Sequence, residues 1–407
     1  MSFAIAARGQ RAEVVADAER MADALARTFA LWRDRNYARR RDAVEAIART
    51  AGYSVAMLEE SIDALLKPFT SDALMAFAAR ISADGRSDRP KTVGFIAAGN
   101  VAGAGIHEVA IALIAGARVI VKTASAEPVF FAEFSRTLAE IDREAGARIE
   151  VQHWNRGRAD LTAAMMANCE LVVAYGDDST IESVAGANVR PTELRRLNVI
   201  DFGSRVSGAV IAINPSHIDA IADSLARDVV LFEQLGCLSP HQVFVIGASS
   251  SAAREFAVRM AGALEQLSES MPPARIPLSD AVEIRGVRER ARWRGIAGEA
   301  VELFEGRGLE WTVVFEARGD AFKVSPGFRT VHVTGVRDIG ELRGCLAGAT
   351  GRVEAIAVVG GESGDSLGET VASLGIPYVC APGEMQSPPL EWRHGGGAFL
   401  DLMVRPR

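Results

Sequence analysis

Between Gln10 and Ser82 the apolar residues recur at three- and four-residue steps: Val14, Val15, Ala18, Met21, Leu25, Phe29 and Trp32, then Val44, Ile47, Met57 and Leu58. That period puts them on one face of successive α-helices, so a helical N-terminal region is expected. At Thr92 the pattern changes. Short apolar runs at Val93–Ala97, Val119–Val121, Leu171–Ala174 and Leu197–Ile200 alternate with segments long enough for crossover helices, such as Gly103–Ala115 and Pro128–Ala145. Such alternation predicts a parallel sheet with helices on both faces. A second series from Val206 to Tyr378 predicts strands at Ala209–Ile213, Gln242–Ile246, Thr312–Phe315, Thr330–Val333 and Ala355–Val359. A final strand is expected at Ala398–Val404, after a Gly-rich turn.

A length of 407 residues exceeds one ordinary core and suits two or three domains. The net charge of -7 argues against a nucleic-acid or anionic-membrane binder, because either wants a basic face. The one clear basic run, Arg33, Arg35, Arg39, Arg40 and Arg41, reads as a solvated helix face. Four cysteines, Cys169, Cys237, Cys345 and Cys380, form no CxxC pair. They are too sparse for a disulfide framework and wrongly spaced for zinc, which fits a reducing cytoplasm and no metal. No apolar run approaches the roughly 20 residues of a membrane span, and a soluble protein is expected.

Cys237 lies in Gln234-Leu235-Gly236-Cys237-Leu238-Ser239-Pro240, between a helical and a strand pattern. A thiol at a helix end or in a loop flanked by Gly and Pro can gain the access and lowered pKa of a nucleophile; a small buried hydrophobe is the alternative. Gly99-Asn100 follows the first predicted strand. An amide there can donate to an oxyanion or simply form a turn or helix cap. Lys122 ends the second predicted strand, with hydroxyls after it. It can hold ribose or phosphate oxygens, or stand idle at the surface.

In order along the chain, Asn100, Lys122 with Ser125 and Pro128, Gly176, Asp201 in Asp201-Phe202-Gly203-Ser204-Arg205, and Cys237 resemble the motif series of the aldehyde dehydrogenase superfamily. The separations, 22 residues from Asn100 to Lys122 and 36 from Asp201 to Cys237, are close to that family's. Within it, Gly99-Asn100-Val101-Ala102-Gly103, Cys237-Leu238-Ser239-Pro240-His241-Gln242 and Pro388-Pro389-Leu390-Glu391-Trp392-Arg393-His394-Gly395 most resemble the long-chain acyl-CoA reductases of the bacterial luminescence type. The likeness runs from about Thr92 to the C-terminus. Departures are the acidic Asp177 and Asp178 in the cofactor loop, Asp201 where the family has glutamate, and Arg205 where it has lysine.

The resemblance implies an α/β protein with a Rossmann-type cofactor domain at 92–205 and a catalytic domain at 206–385 carrying Cys237. A helical region at 1–91 would pack on the cofactor domain, and a C-terminal segment at 386–407 would return to it or to an oligomer interface. It further implies that Cys237 attacks an acyl-CoA or other acyl thioester, that Asn100 stabilises the oxyanion, and that a nicotinamide cofactor supplies hydride. Gly99, Asn100, Lys122, Ser125 and Gly176 would hold that cofactor. Ser125, where NAD-preferring relatives carry an acid, points to NADPH, with NADH still open because Glu127 is near. Asp201 stands where relatives activate water, one methylene short. His394 and Trp392 are candidates for substrate binding, His107 for a structural role, and a homo-oligomer is expected from the C-terminal strand pattern. Aldehyde oxidation and a catalytically silent acyl-holding role are the rival readings.

Overall fold

In the structure, a computed structural model, helices α1 (Ser2–Arg33), α2 (Ala38–Ala51), α3 (Val55–Leu66) and α4 (Ser71–Asp84) precede the first strand. It describes residues 2–155, 157–176, 180–182, 184, 198–212, 217–247, 249–360 and 365–405. The expectation about Asp177 and Asp178 therefore falls outside the described residues, as do Leu197 and Ile213 at two predicted strand ends. Two units result: Met1–Ala51 with Leu65–Ser204 and Pro389–Arg407, and Gly52–Ala64 with Arg205–Pro388.

The first unit holds a five-stranded parallel sheet built from β1 (Thr92–Ile96), β2 (Arg118–Thr123), β3 (Ile149–His153), β4 (Leu171–Tyr175) and β5 (Asn198–Phe202). Its order, β3-β2-β1-β4-β5, is that of a Rossmann-type half-fold reversing at β1. Helices α5 (Ile106–Ile114), α6 (Phe130–Ile141), α7 (Arg143–Gly146) and α8 (Ala159–Ala167) fill the crossovers. Helix α1 joins this core through aromatic packing, whereas most of α3 belongs to the second unit. Phe29 stacks on Phe69 at 4.2 Å, and Trp32 lies 4.9 Å from Phe130 while its indole donates to Thr137 at 3.1 Å. The basic run is only partly solvated. Arg40 is fully buried and donates to the Trp32 carbonyl at 2.9 Å, and Arg39 pairs with Glu133 at 3.0 Å.

The second unit holds seven strands in the order β12-β11-β6-β7-β10-β9-β8. These are β6 (Val206–Ala212), β7 (Pro240–Ile246), β8 (Val301–Glu305), β9 (Thr312–Glu316), β10 (Thr330–Val336), β11 (Val353–Val359) and β12 (Tyr378–Cys380). All pairings are parallel except β8 on β9. The helices are α9 (Ile218–Val230), α10 (Ser250–Ser270), α11 (Leu278–Ile296), α12 (Ile339–Ala347) and α13 (Asp365–Ala372). Leu342, Cys345 and Leu346 of α12 and Val371 of α13 pack with Val210, Phe244 and Ile356 on one face of the sheet. The interior strand β10 is buried along its whole length, as a parallel strand covered on both faces should be.

The predicted strand at Ala398–Val404 is wrong: Ala398–Met403 is a short helix, α14. Gly395, Gly396 and Gly397 all take left-handed backbone and start it. Phe399, Leu400 and Met403, spaced one and three apart, bury one helical face instead of alternating across a strand. The argument for oligomerisation drawn from that strand falls with it.

Candidate active site

In the second unit the chain leaves α9 through Leu231–Gln234, where Phe232, Glu233 and Gln234 take φ of 53°, 54° and 62°. Three consecutive side-chain-bearing residues in this region are costly, about 1 kcal/mol or more each, and persist only when their surroundings over-determine them. Here they do. The buried Glu233 carboxylate accepts from Arg329 Nε at 2.9 Å and Nη2 at 2.7 Å, and from the Ala274 N–H at 3.1 Å. The Gln234 amide donates to the carbonyls of Pro240 (2.7 Å) and Thr330 (2.8 Å) and accepts from the Thr330 N–H at 2.7 Å. The Phe232 N–H donates to Ser61 Oγ at 3.1 Å.

A second left-handed run, Gly327, Phe328 and Arg329, faces the first. The Phe328 N–H donates to the Glu233 carbonyl at 2.8 Å, and a Cβ at Gly327 would lie 2.9 Å from Leu235 Cδ2. The Gly327 φ of 78° favours glycine there. Three residues after Gln234 comes Cys237, partly exposed in a turn between this lock and β7. Its carbonyl accepts from Ser207 Oγ at 2.7 Å, and Ser239 Oγ accepts from Gln386 Nε2 at 3.1 Å. Burial pushes Cys169 up to about 11 and Cys380 up to about 12, and raises Cys345 as well.

In the first unit the remaining candidates lie at the C-terminal ends of the parallel strands, the side on which such sheets bind ligands. Asn100 is exposed in the loop between β1 and α5. A Cβ at Gly99 would meet the Cβ atoms of Ala124 and Ala126 at 3.0 Å, so the loops after β1 and β2 approach within backbone reach. Lys122 is half-buried beside Ile96 and Gln152, and Ser125 is exposed, donating to Asn155 Oδ1 at 3.3 Å. Gly176 follows β4, and a Cβ on it would press on Thr180 at 2.8 Å. Asp201 is exposed near the end of β5. Glu127 turns inward: at 3% exposure its carboxylate accepts from the N–H groups of Val129 and Phe130 at 2.8 Å, capping α6.

His394 and Trp392 are both buried in this unit. The imidazole of His394 is stacked between Phe202 (3.7 Å, 4°) and Trp392 (4.1 Å, 16°), and its Nδ1 meets Glu108 Oε1 at 2.8 Å. Burial alone would push Glu108 up, but the charge and hydrogen bond of His394 bring it down to about 2. His107 is buried between the rings of Phe69 and Trp392, a structural place. The sequence reading missed Glu233, Gln234, Arg329 and Glu108. Their only signal was polarity within apolar runs, as in Leu231-Phe232-Glu233-Gln234-Leu235.

Comparison with known proteins bears on the family and the fold. The chain is similar to the long-chain acyl-protein thioester reductase 2 of Photobacterium leiognathi, 23% identical over 252 residues, covering 60% of this chain and 49% of that protein. It is also similar to the long-chain acyl-protein thioester reductase of Photobacterium phosphoreum, 21% identical over 395 residues, covering 92% of this chain and 77% of that one. It thus spans about half the length of several curated relatives it matches. Its fold is that of the aldehyde dehydrogenases: the NAD-dependent benzaldehyde dehydrogenase of Corynebacterium glutamicum superposes with a TM-score of 0.68 at 17% identity, over 93% of this chain and 82% of that one. The model of one family, described as acyl-CoA reductase (LuxC), matches residues 86–406. With four-fifths of its length inside that match, the chain belongs to the LuxC acyl-CoA reductase family.

Proposed function

We propose that the protein reduces an acyl thioester to the aldehyde with a nicotinamide cofactor, through a covalent acyl-enzyme on Cys237. The observation that carries this reading is the partly exposed Cys237 turn, set behind an over-determined left-handed lock, in a chain of this family. The thiolate attacks the acyl carbonyl, the carrier thiol leaves, and the Cys237 thioester remains. The Asn100 amide and the Cys237 backbone N–H are assigned to the oxyanion, an assignment that rests on motif order along the chain. The cofactor, when bound, supplies the hydride. The same donors hold the resulting hemithioacetal oxyanion until it collapses, releasing aldehyde and restoring the thiolate. Asp201, shorter than glutamate, is a poor activator of water, which protects the thioester from hydrolysis. His394 and Trp392 are assigned to substrate binding on the resemblance of their C-terminal motif alone.

The family description speaks of acyl-CoA and the relatives' names of acyl-protein thioesters. Both present the same acyl carbonyl, and we favour acyl-CoA, fatty acyl in particular, as the substrate that tests the chemistry. Mixing the protein with acyl-CoA and NADPH should oxidise the cofactor, read by its absorbance. Acyl transfer to Cys237 with no cofactor oxidation would instead make this an acyl-holding protein. Asn100→Ala should lower turnover about 100-fold, the usual effect of losing one oxyanion donor, with much less change in acyl-CoA binding. Near wild-type turnover would reduce Asn100 to a turn residue.

What supports a dinucleotide is the Rossmann strand order and the close loop approach that Gly99 permits. Gly99, Asn100, Lys122, Ser125 and Gly176 would hold it. At Ser125 a hydroxyl replaces the acid that repels a 2′-phosphate, and that phosphate adds a charge of about -2. Glu127, whose carboxylate accepts from the Val129 and Phe130 N–H groups, is not free to bind the ribose hydroxyls as the acid of NAD-preferring relatives does. NADPH should therefore be preferred, and Ser125→Glu should cut kcat/KM for NADPH far more than for NADH. A wild type that prefers NADH, with a ratio unmoved by the substitution, would place the adenosine ribose elsewhere.

A further inference from the structure

Helix α11 turns Ile284, Arg288 and Ala291 inward, with Val287 packed beside Ala291 against Val301 and Val314. Its opposite face carries Leu278, Val282, Trp293 and Ile296 at 78, 58, 67 and 76% exposure. These are the four most exposed large apolar side chains among the described residues. At about 100° per residue they fall, with the exposed Arg285 and Glu289, on one strip roughly 80° wide. Apolar residues scattered singly on a surface need no explanation, but two exposed apolar pairs on one face of a single helix do.

The strip reads the same from both ends. Leu278 and Ile296 lie nine residues either side of position 287, Val282 and Trp293 five before and six after, and Arg285 and Glu289 two either side. A second helix laid antiparallel about a two-fold axis at residue 287 therefore sets Leu278 against Ile296, Val282 against Trp293, and Arg285 against Glu289. Each contact occurs twice, as an isologous interface requires. Gly286 lies next to that axis. The fold does not need it: a Cβ there would meet only the flexible end of Arg290, at 3.2 Å. A mid-helix glycine costs about 1 kcal/mol relative to alanine, and here it clears space for a close crossing.

We propose that α11 is a self-docking surface through which two copies of this chain associate antiparallel. Glu289 already accepts from Arg292 of its own helix, so Arg285 of the second copy would complete a charge network at the centre, with an apolar cluster at each end. A lipid surface is the less favoured occupant. Arg292 and Arg294 are tied to Glu305, Glu299 and Glu316, Arg288 is buried, and the chain carries -7 overall. Among the described residues, Arg285 is thus the one unspent cation on the strip, and it stands opposite Glu289 of the second copy, too little positive charge for an anionic membrane.

The test is the mass of the full chain in solution by light scattering or sedimentation across a concentration series. Arg285→Glu sets like charges across the two-fold and should weaken association at least about 100-fold. The swap Arg285→Glu/Glu289→Arg should restore it to within a few-fold, and Trp293→Ser should weaken it with no charge change. All three positions are exposed, so unchanged circular dichroism is expected throughout. A monomeric wild type at every concentration, an assembly indifferent to Arg285→Glu, or a swap that fails to restore it would each overturn the proposal. So would a Trp293→Ser variant that loses sedimentation with phosphatidylglycerol vesicles while keeping the wild-type mass, which would make the strip a membrane face.

Discussion

Cys237→Ser should abolish turnover, by at least about 10⁴-fold, while the protein keeps its fold. The substitution exchanges one sulfur for oxygen in a partly exposed turn, so packing hardly changes. What it removes is the thiol set in a partly exposed turn just after the strained Phe232–Gln234 run. Cys169 is held in the core with its Sγ on the Met165 carbonyl at 3.3 Å, and Cys345 donates to the Gly319 carbonyl at 3.4 Å. Burial raises Cys169 to about 11, Cys380 to about 12 and Cys345 as well, which disfavours their thiolates. Incubation with acyl-CoA, without reduced cofactor, should therefore add one acyl mass per chain, and peptide mapping should find it on Cys237. An adduct that survives Cys237→Ser with its mass and rate intact, or that maps to Cys169, Cys345 or Cys380, would sink the assignment.

The central strands were legible because burial on both faces leaves near-continuous apolar runs, such as Leu171–Tyr175 and Val353–Val359. The strands the apolar pattern did not reveal, β3, β8 and β12, lie at sheet edges. Ile149–His153 and Val301–Glu305 each carry charged or polar residues that a half-exposed edge tolerates. The C-terminal helix was misread because a Gly-rich lead followed by apolar residues suits a strand as well as a helix until the one-and-three spacing of its buried residues is weighed. The site divides the same way. Gly236-Cys237-Leu238-Ser239-Pro240 and Gly99-Asn100 are local signals, readable within a few residues. The Glu233–Arg329 and Glu108–His394 pairs are not, because their partners lie 96 and 286 residues apart and no periodicity links them. Glu127 shows the converse: its place beside Ser125 suggested a role at the ribose, and only the fold reveals that its carboxylate is spent on a helix cap.

The Glu233–Arg329 pair yields the largest expected effect on stability and separates it from activity. Both side chains are essentially inaccessible to water. Arg329→Met strands the Glu233 carboxylate in the interior, which costs about 3–5 kcal/mol and should lower the melting temperature by roughly 10 °C or more. Replacing both partners by apolar groups, as Glu233→Leu/Arg329→Met, removes the stranded charge and should recover most of that loss. It should not recover acylation. The left-handed Phe232–Gln234 run would keep its intrinsic cost but lose the bidentate clamp and the Ala274 N–H contact that hold it. The turn bearing Cys237 would then sample other conformations, so the acylation rate, measured by quenched intact mass, should stay at least about ten-fold below wild type even in a well-folded double variant. Melting of Arg329→Met within a degree of wild type would contradict the burial argument. A double variant that melts and acylates like wild type would mean that the pair merely fills space, and that the strained run before Cys237 holds its shape without it.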